Sequence, residues 1–296
     1  KYIWRLTVLT LKEFRELKEY QQLDEKLIMY NNGARYGQIV FLAGGAGSGK
    51  GFAIKNFMEG DKFKVRDVDE FKSAYLKLNA MTNRYPELKG MDLRNREDVF
   101  KLHAFVKRKG IKDNTLNMLL NDLKQMGSAR KGTLPNILFD ITLKEVEDVT
   151  DVLPLLREVG YQPNNIHLTW VLTNFKTAIV NNRERSRVVP EDILLGTHEG
   201  ARDSMIGFIK GGTPRGVNGQ VNVILNNPDL TVPYVGKDGK PIKTTRTKKV
   251  VIKDFTYIRM KKEGKPFEKD ANIKRQVFEW IKSNTPGGEL MTLDAD

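Results

Sequence analysis

The chain has 296 residues, with 50 Lys and Arg against 37 Asp and Glu, a formal charge of +13 and no cysteine. At 40% hydrophobic and 29% charged residues it has the composition of a soluble globular protein, and the missing cysteines exclude disulfides and thiolate metal sites. No apolar run approaches the roughly 20 residues needed to span a bilayer, so no membrane segment is expected and a cytoplasmic location is. The positive excess implies a polyanionic partner, nucleic acid or nucleotide, unless a lysine-rich surface serves solubility alone.

Residues 1–36 repeat apolar positions at three- and four-residue intervals, which predicts a polar helical segment packed on a core. "GQIVFLAG" follows as a continuous apolar run ending in glycine, the pattern of a buried parallel strand, and "GFAIKNFM" from Gly51 continues as a helix. "KFKVRDVDEFKSAYLKL" predicts a short strand ending near Asp67 and a helix from about Asp69. Residues 80–130 are polar and mostly helical around the loop "TNRYPELKGMDLRN". "PNILFDIT", "NIHLTWVLT" and "GQVNVILNN" are further strands. Helices over "EVEDVTDVLPLLREVGY", closed by Gly160, and through "FKTAIVNNRERSR" separate them. Apolar strands alternating with helices predict an α/β fold, a doubly wound parallel sheet covered on both faces, over residues 37–228. Residues 229–296 change character, with an Asp238-Gly239 turn signal, β-rich runs and a closing helix at 268–283, and predict a small basic β/α appendage. Between Gly236 and Lys262 stand 10 Lys and Arg and 2 Asp and Glu, a net +8.

The junction of the first strand and its helix carries the chemistry. In "GGAGSGKG", Gly44, Gly49 and Lys50 satisfy G-x-x-x-x-G-K, and five of the eight residues from Gly44 to Gly51 are glycine. Backbone N–H groups that point inward to hold phosphate oxygens need conformations that side chains obstruct. Gly44, Gly45, Ala46, Gly47, Ser48, Gly49, Lys50 and Gly51 are therefore the candidate nucleotide-binding residues, with Lys50 as a mobile charge for the terminal phosphates. The hydroxyl that ordinarily follows the lysine and ligates magnesium is replaced by Gly51. The loop resembles that of adenylate-kinase-like enzymes, which also carry "GSGKG", although they place threonine where this chain has Phe52. That resemblance implies magnesium held through water and nearby carboxylates.

Asp67 and Asp69 fall at a strand end near the mouth of the loop, where a kinase needs a carboxylate to orient and deprotonate an attacking hydroxyl. Helix capping is the alternative use of either. Asp140 and Thr142 stand just past the buried run of "NILFDIT". "GGAGSGKG", "VRDVDEFK", "NILFDIT" and "AIVNNRERSRVVPEDIL" together resemble the P-loop kinases grouped around polynucleotide kinases and zeta toxins. The resemblance implies ATP and Mg2+ as cofactors, Asp69 as the catalytic base and a substrate-binding insertion at 80–130. It also implies a lid at 183–215 in which Arg183 and Arg187, four apart on one helical face, grip the transferring phosphate. Lys72 stands where the family has arginine. Asp67 and Asp140 are the candidate metal carboxylates. Arg185 is expected to point elsewhere, and Arg202 is a weaker candidate.

His103, His167 and His198 have no paired spacing, so no zinc site is expected, and His198 reads as an ordinary surface histidine or a substrate contact. The acceptor expected first is a nucleic acid, at a 5′-hydroxyl end or a hydroxymethylated base, and the arrangement resembles phage-type enzymes that phosphorylate hydroxymethyluracil in DNA. The +8 tail would then contact phosphates, and Tyr234, Phe255 and Tyr257 would stack on bases, unless they serve as hairpin packing. A small-molecule or nucleotide-sugar kinase of zeta-toxin type needs no basic surface. An ATP-binding structural or regulatory protein without phosphotransfer is the third class, kept open by Gly51-Phe52 and Lys72 and opposed by Asp69 and the paired arginines.

Overall fold

Five consecutive residues with no exposure, Ile39–Ala43, form β1 at the centre of the molecule. A computed structural model describes residues 28, 30, 36–58, 60–127, 134–185, 187–228, 235–236, 238–242 and 256–291. The glycine loop links β1 to α1 (Lys50–Asn56), and β2 (Lys64–Asp67) runs straight into α2 (Val68–Thr82). Helices α3 (Arg96–Arg108) and α4 (Ile111–Gly127) precede β3 (Ile137–Asp140), and α5 (Glu147–Thr150) and α6 (Leu153–Val159) precede β4 (Ile166–Leu172). Then come α7 (Phe175–Arg183), α8 (Glu191–Gly211), β5 (Val221–Leu225), β6 (Thr256–Lys261) and α9 (Ala271–Asn284).

The six strands form one sheet in the order β2-β3-β1-β4-β5-β6. The first five are parallel, and β6 is an antiparallel edge on β5. The doubly wound parallel sheet predicted from the apolar runs is thus the observed fold. Alternation along the strands builds two cores. Ile39, Phe41, Phe139, Leu168, Trp170 and Val223 face one side, against α4, α6, α8 and α9. Val40, Leu42, Leu138, Val171 and Ile224 face the other, against Ala53 of α1, Phe57 and Met58. A satellite core of Leu88, Leu102, Phe105 and Val106 ties α3 to the segment after α2.

The expected helical segment over 1–36 lies almost wholly outside the described residues; Ile28 and Tyr30, which belong to it, are buried against the second face. Tyr234 and Phe255 lie outside them as well, as does most of the +8 stretch. The Asp238-Gly239 turn is present, with Gly236 N–H donating to Lys240 O at 2.9 Å. The described strand of the basic region, β6, extends the core sheet itself.

Two helical expectations change. The helix through "NNRERSR" stops at Arg183, because Asn182 spends its side chain on Val189. Its Nδ2 donates to Val189 O at 2.7 Å and its Oδ1 accepts Val189 N–H at 3.0 Å, cinching Val189 back onto the helix end. Arg183 and Arg187 therefore do not share a helical face. The 21-residue α8 also goes unpredicted, since Gly196, Gly200, Gly207 and Gly211 dilute its propensity. Its signal was the buried stripe Leu194, Ala201, Met205 and Phe208, spaced for one helical face.

The buried strands are not uniformly apolar. His167, Thr169 and Asn222 are fully buried on the second face. Tyr30 Oη lies 2.7 Å from Thr169 Oγ1, and His167 Nε2 lies 2.8 Å from Gln38 Oε1 while Nδ1 accepts the Gln220 N–H at 2.8 Å. Burial, with Lys261 and then Arg259 adding to it, pushes His167 down from 6.5 to about 3. The unfolded chain therefore binds a proton near pH 6.5 that the folded chain refuses until about pH 3. This contribution is full above pH 6.5 and falls as the pH drops through that window, by about 1.4 kcal/mol per unit. Urea unfolding at stepped pH is expected to show that decline, and His167→Gln to flatten its slope just below pH 6.5.

Candidate nucleotide and phosphoryl-transfer site

At β1 the sheet order switches: β3 and β2 lie to one side, β4 and β5 to the other. Ligands of open α/β sheets bind at such a switch point, beyond the carboxyl ends of the strands. The glycine loop stands there. Thr173 Oγ1 (2.7 Å) and Asn226 Nδ2 (2.9 Å) both donate to Ser48 O, and Gly44 N–H reaches Thr142 O at 3.4 Å. At Gly47, where φ is +77°, a Cβ would lie 2.4 Å from Ala178 O, so only glycine lets the loop seat on α7.

Lys50 opens α1 and turns back across the loop, with Nζ donating to Gly44 O at 2.6 Å and 3.5 Å from Asp140 Oδ1. Parallel pairing of β2 and β3 sets Asp67 in register with Asp140, so both carboxylate-bearing strand ends reach the same level. The end of a short strand at Asp67 and of a buried apolar run at Asp140 made both positions legible in the sequence. Asp69 is the second residue of α2, and its side chain is not among those the structure describes.

A cavity of about 930 Å³ joins these groups. Gly47 to Gly51, Lys50, Asp67, Asp140, Thr142 and Lys72 line it, with Arg185 and Arg187 from the cinched loop. Arg183 is directed outward, 69% exposed and 3.4 Å from Glu191. Arg202 is turned to Asp203 and to Pro286 O, away from the loop. Of the three arginines in "RERSR", the cavity therefore takes Arg185 and Arg187.

Val99, Phe100, Leu102 and His103 of α3 and Leu116 of α4 also line it, all from the 80–130 segment expected to bind substrate, and Arg66 of β2, which the sequence did not single out, lines it with them. Phe100 is 43% exposed, an apolar ring left open to the cavity. The Arg66 guanidinium lies 5.7 Å from the Phe139 ring centroid. Burial lowers Arg66 from its ordinary value, while Asp113 acts in the opposite sense. His198, expected at the surface, is instead 3% exposed behind the phosphate loop.

Asp67 and Asp140 fit Mg2+, which takes one or two carboxylates and keeps waters and substrate phosphates as its other ligands. Among the described residues no group of three or more His, Cys, Asp or Glu is gathered to hold a metal unaided. An ideal Cβ on Gly51 meets nothing within 4 Å, so the missing hydroxyl reflects no steric bar. Gly51→Ala is expected to raise stability by about 0.5 kcal/mol, read by thermal melting, because it removes backbone freedom from a helical position.

The fold and the loop define an α/β protein with a glycine-rich G-x-x-x-x-G-K loop at its topological switch point. No protein-family model matches the chain, and no curated protein does. Among solved structures, one from the PezAT chromosomal toxin-antitoxin system of Streptococcus pneumoniae is similar at 14% identity, with 96% of this chain and 98% of that chain covered and a TM-score of 0.42. An AvrRxo1-ORF1:-ORF2 complex with ATP shares 13% identity over 96% of this chain and 75% of that chain, with a TM-score of 0.40. Deoxyadenosine kinase from M. mycoides with bound dATP shares 16% over 66% and 93%, with a TM-score of 0.28. At these scores the assignment rests on the chain's own strand order and loop. Among the described residues no helix is long and apolar enough to cross a membrane.

Proposed function

We propose that the protein is a phosphotransferase that moves the γ-phosphoryl group of ATP to a hydroxyl of a small molecule. The observation that carries this reading is one cavity lined by the glycine loop, Lys50, Asp67, Asp140, Arg185 and Arg187 together with Phe100 and Arg66. Its volume of about 930 Å³ is that of a small-molecule site. In this reading the loop and Lys50 hold the β- and γ-phosphates. Arg185 and Arg187 neutralise charge on the moving group. Asp69 takes the acceptor proton as the acceptor oxygen bonds to the γ-phosphorus and the bond to the β–γ bridging oxygen breaks. Asp67 and Asp140 would hold Mg2+, which supplies charge neutralisation at the phosphates. The apolar rings and Arg66 suit an acceptor with a flat apolar part and an anionic group.

A nucleic-acid acceptor is the second reading, favoured by the +13 charge of the chain and the +8 of residues 236–262. Against it, β6 is the sheet edge opposite β2. Five strand spacings, roughly 24 Å, separate the described basic strand from the wall that carries Asp67 and Arg66. The test is transfer of label from γ-labelled ATP to nucleotides, nucleotide sugars, 5′-hydroxyl DNA and hydroxymethyluracil DNA, with Asp69→Asn as control. Label on a small molecule, lost in the control, is the expected result. Salt-sensitive label on DNA alone would replace it with the second reading. ATP binding without transfer to any acceptor would sink both.

A further inference from the structure

We infer that Thr197 and His198, neighbours on α8, are positioning residues that hold the phosphate loop in its binding shape before any nucleotide arrives. Both polar backbone groups of Ala46 end on this pair. The Ala46 N–H donates to Thr197 Oγ1 at 3.0 Å, and that hydroxyl donates onward to Leu194 O at 2.7 Å. His198 Nε2 lies 2.9 Å from Ala46 O. A carbonyl only accepts, so Nε2 carries the proton. Thr197 and His198 are 8% and 3% exposed, which leaves these bonds little competition from water. Burial lowers His198 from its ordinary value and Lys50 acts in the same sense, while the bond to Ala46 opposes them.

The contact also explains a glycine that phosphate binding does not. A Cβ on Gly45 would lie 2.3 Å from His198 Cδ2, so the ring occupies the space that a side chain at 45 would take. The adjoining peptide rests on the neighbouring helix, with Asn181 Nδ2 donating to Gly47 O at 3.3 Å. The phosphate loop is therefore seated against α7 and α8, the two helices that bracket the Arg185–Arg187 loop. A rigid α8 carries one anchor of the arginine loop at its start and the grip on Ala46 two turns later. The distance between phosphate loop and arginines is thereby set by one helix.

The geometry of this inference stands alone, while its effect on nucleotide rests on the phosphotransferase reading. The test compares His198→Leu, which removes the donor, Thr197→Val, which removes the hydroxyl, and His198→Gln, which keeps an N–H donor. Two readouts are taken: amide hydrogen exchange of residues 44–50 without nucleotide, and affinity for a non-hydrolysable ATP analogue. His198→Leu and Thr197→Val are expected to speed exchange of that loop, and to weaken the analogue, by roughly tenfold each. His198→Gln is expected to stay within about threefold of the wild type on both. Unchanged loop exchange in His198→Leu and Thr197→Val would overturn the inference. So would a glutamine variant as impaired as leucine, since packing alone would then be responsible. If His198→Leu fails to fold, Thr197→Val and His198→Gln decide by the same criteria. Wild-type protein that binds no analogue, yet loses loop protection in the variants, would sink the nucleotide reading and leave this one standing.

Discussion

Replacing Lys50 by methionine is expected to lower phosphoryl transfer by about a thousandfold while barely moving the melting temperature. Lys50 is poised at the loop mouth against Gly44 O and Asp140, and its side chain is 14% exposed. Those contacts are local and replaceable, so methionine, which keeps much of the aliphatic stem, costs the fold little. In the phosphotransferase reading an incoming triphosphate would take the ammonium from Gly44 O. Charge is spread over the γ-phosphoryl oxygens during transfer, and a cation inside a cavity is worth far more there than in water. Single-turnover rates at saturating ATP measure the effect directly. A variant within tenfold of the wild type would remove Lys50 from the chemistry.

The second large effect separates three arginines that lie within five residues of one another. Arg185→Ala and Arg187→Ala are each expected to cost about a hundredfold or more in turnover, because both side chains line the cavity. Arg183→Ala is expected to stay within about threefold, since its pair with Glu191 is 69% and 56% exposed and such pairs are worth about 0–1 kcal/mol. The losses at 185 and 187 should appear in kcat more than in KM, because the charge they meet develops mainly in the transition state. A large loss at 183 with none at 185 would restore the helical-face arrangement that the spacing alone predicts.

That contrast shows where local sequence rules stop. Apolar runs such as "IVFLA" and "ILFD" announce buried parallel strands because both faces are covered, and the glycine loop is legible because backbone phosphate binding constrains every position. The fate of "RERSR" depends instead on whether the helix continues, and Asn182 decides that by capturing Val189 rather than by any propensity in the arginines. His198 was less legible still. Its partner Ala46 is 152 residues away, and nothing in "GTHEGAR" indicates that a ring there packs beneath a loop. Arg66 was hidden for a similar reason: it comes from β2 and Phe100 from α3 in the 80–130 segment, and only the fold brings both to one cavity.

The most direct single test is a calorimetric titration of the wild type and Lys50→Met with a non-hydrolysable ATP analogue in the presence of magnesium. Saturable binding at one site, weakened at least tenfold in Lys50→Met, is the predicted result. No binding, or equal affinity in the two proteins, would contradict a triphosphate held in the loop from Gly44 to Gly51.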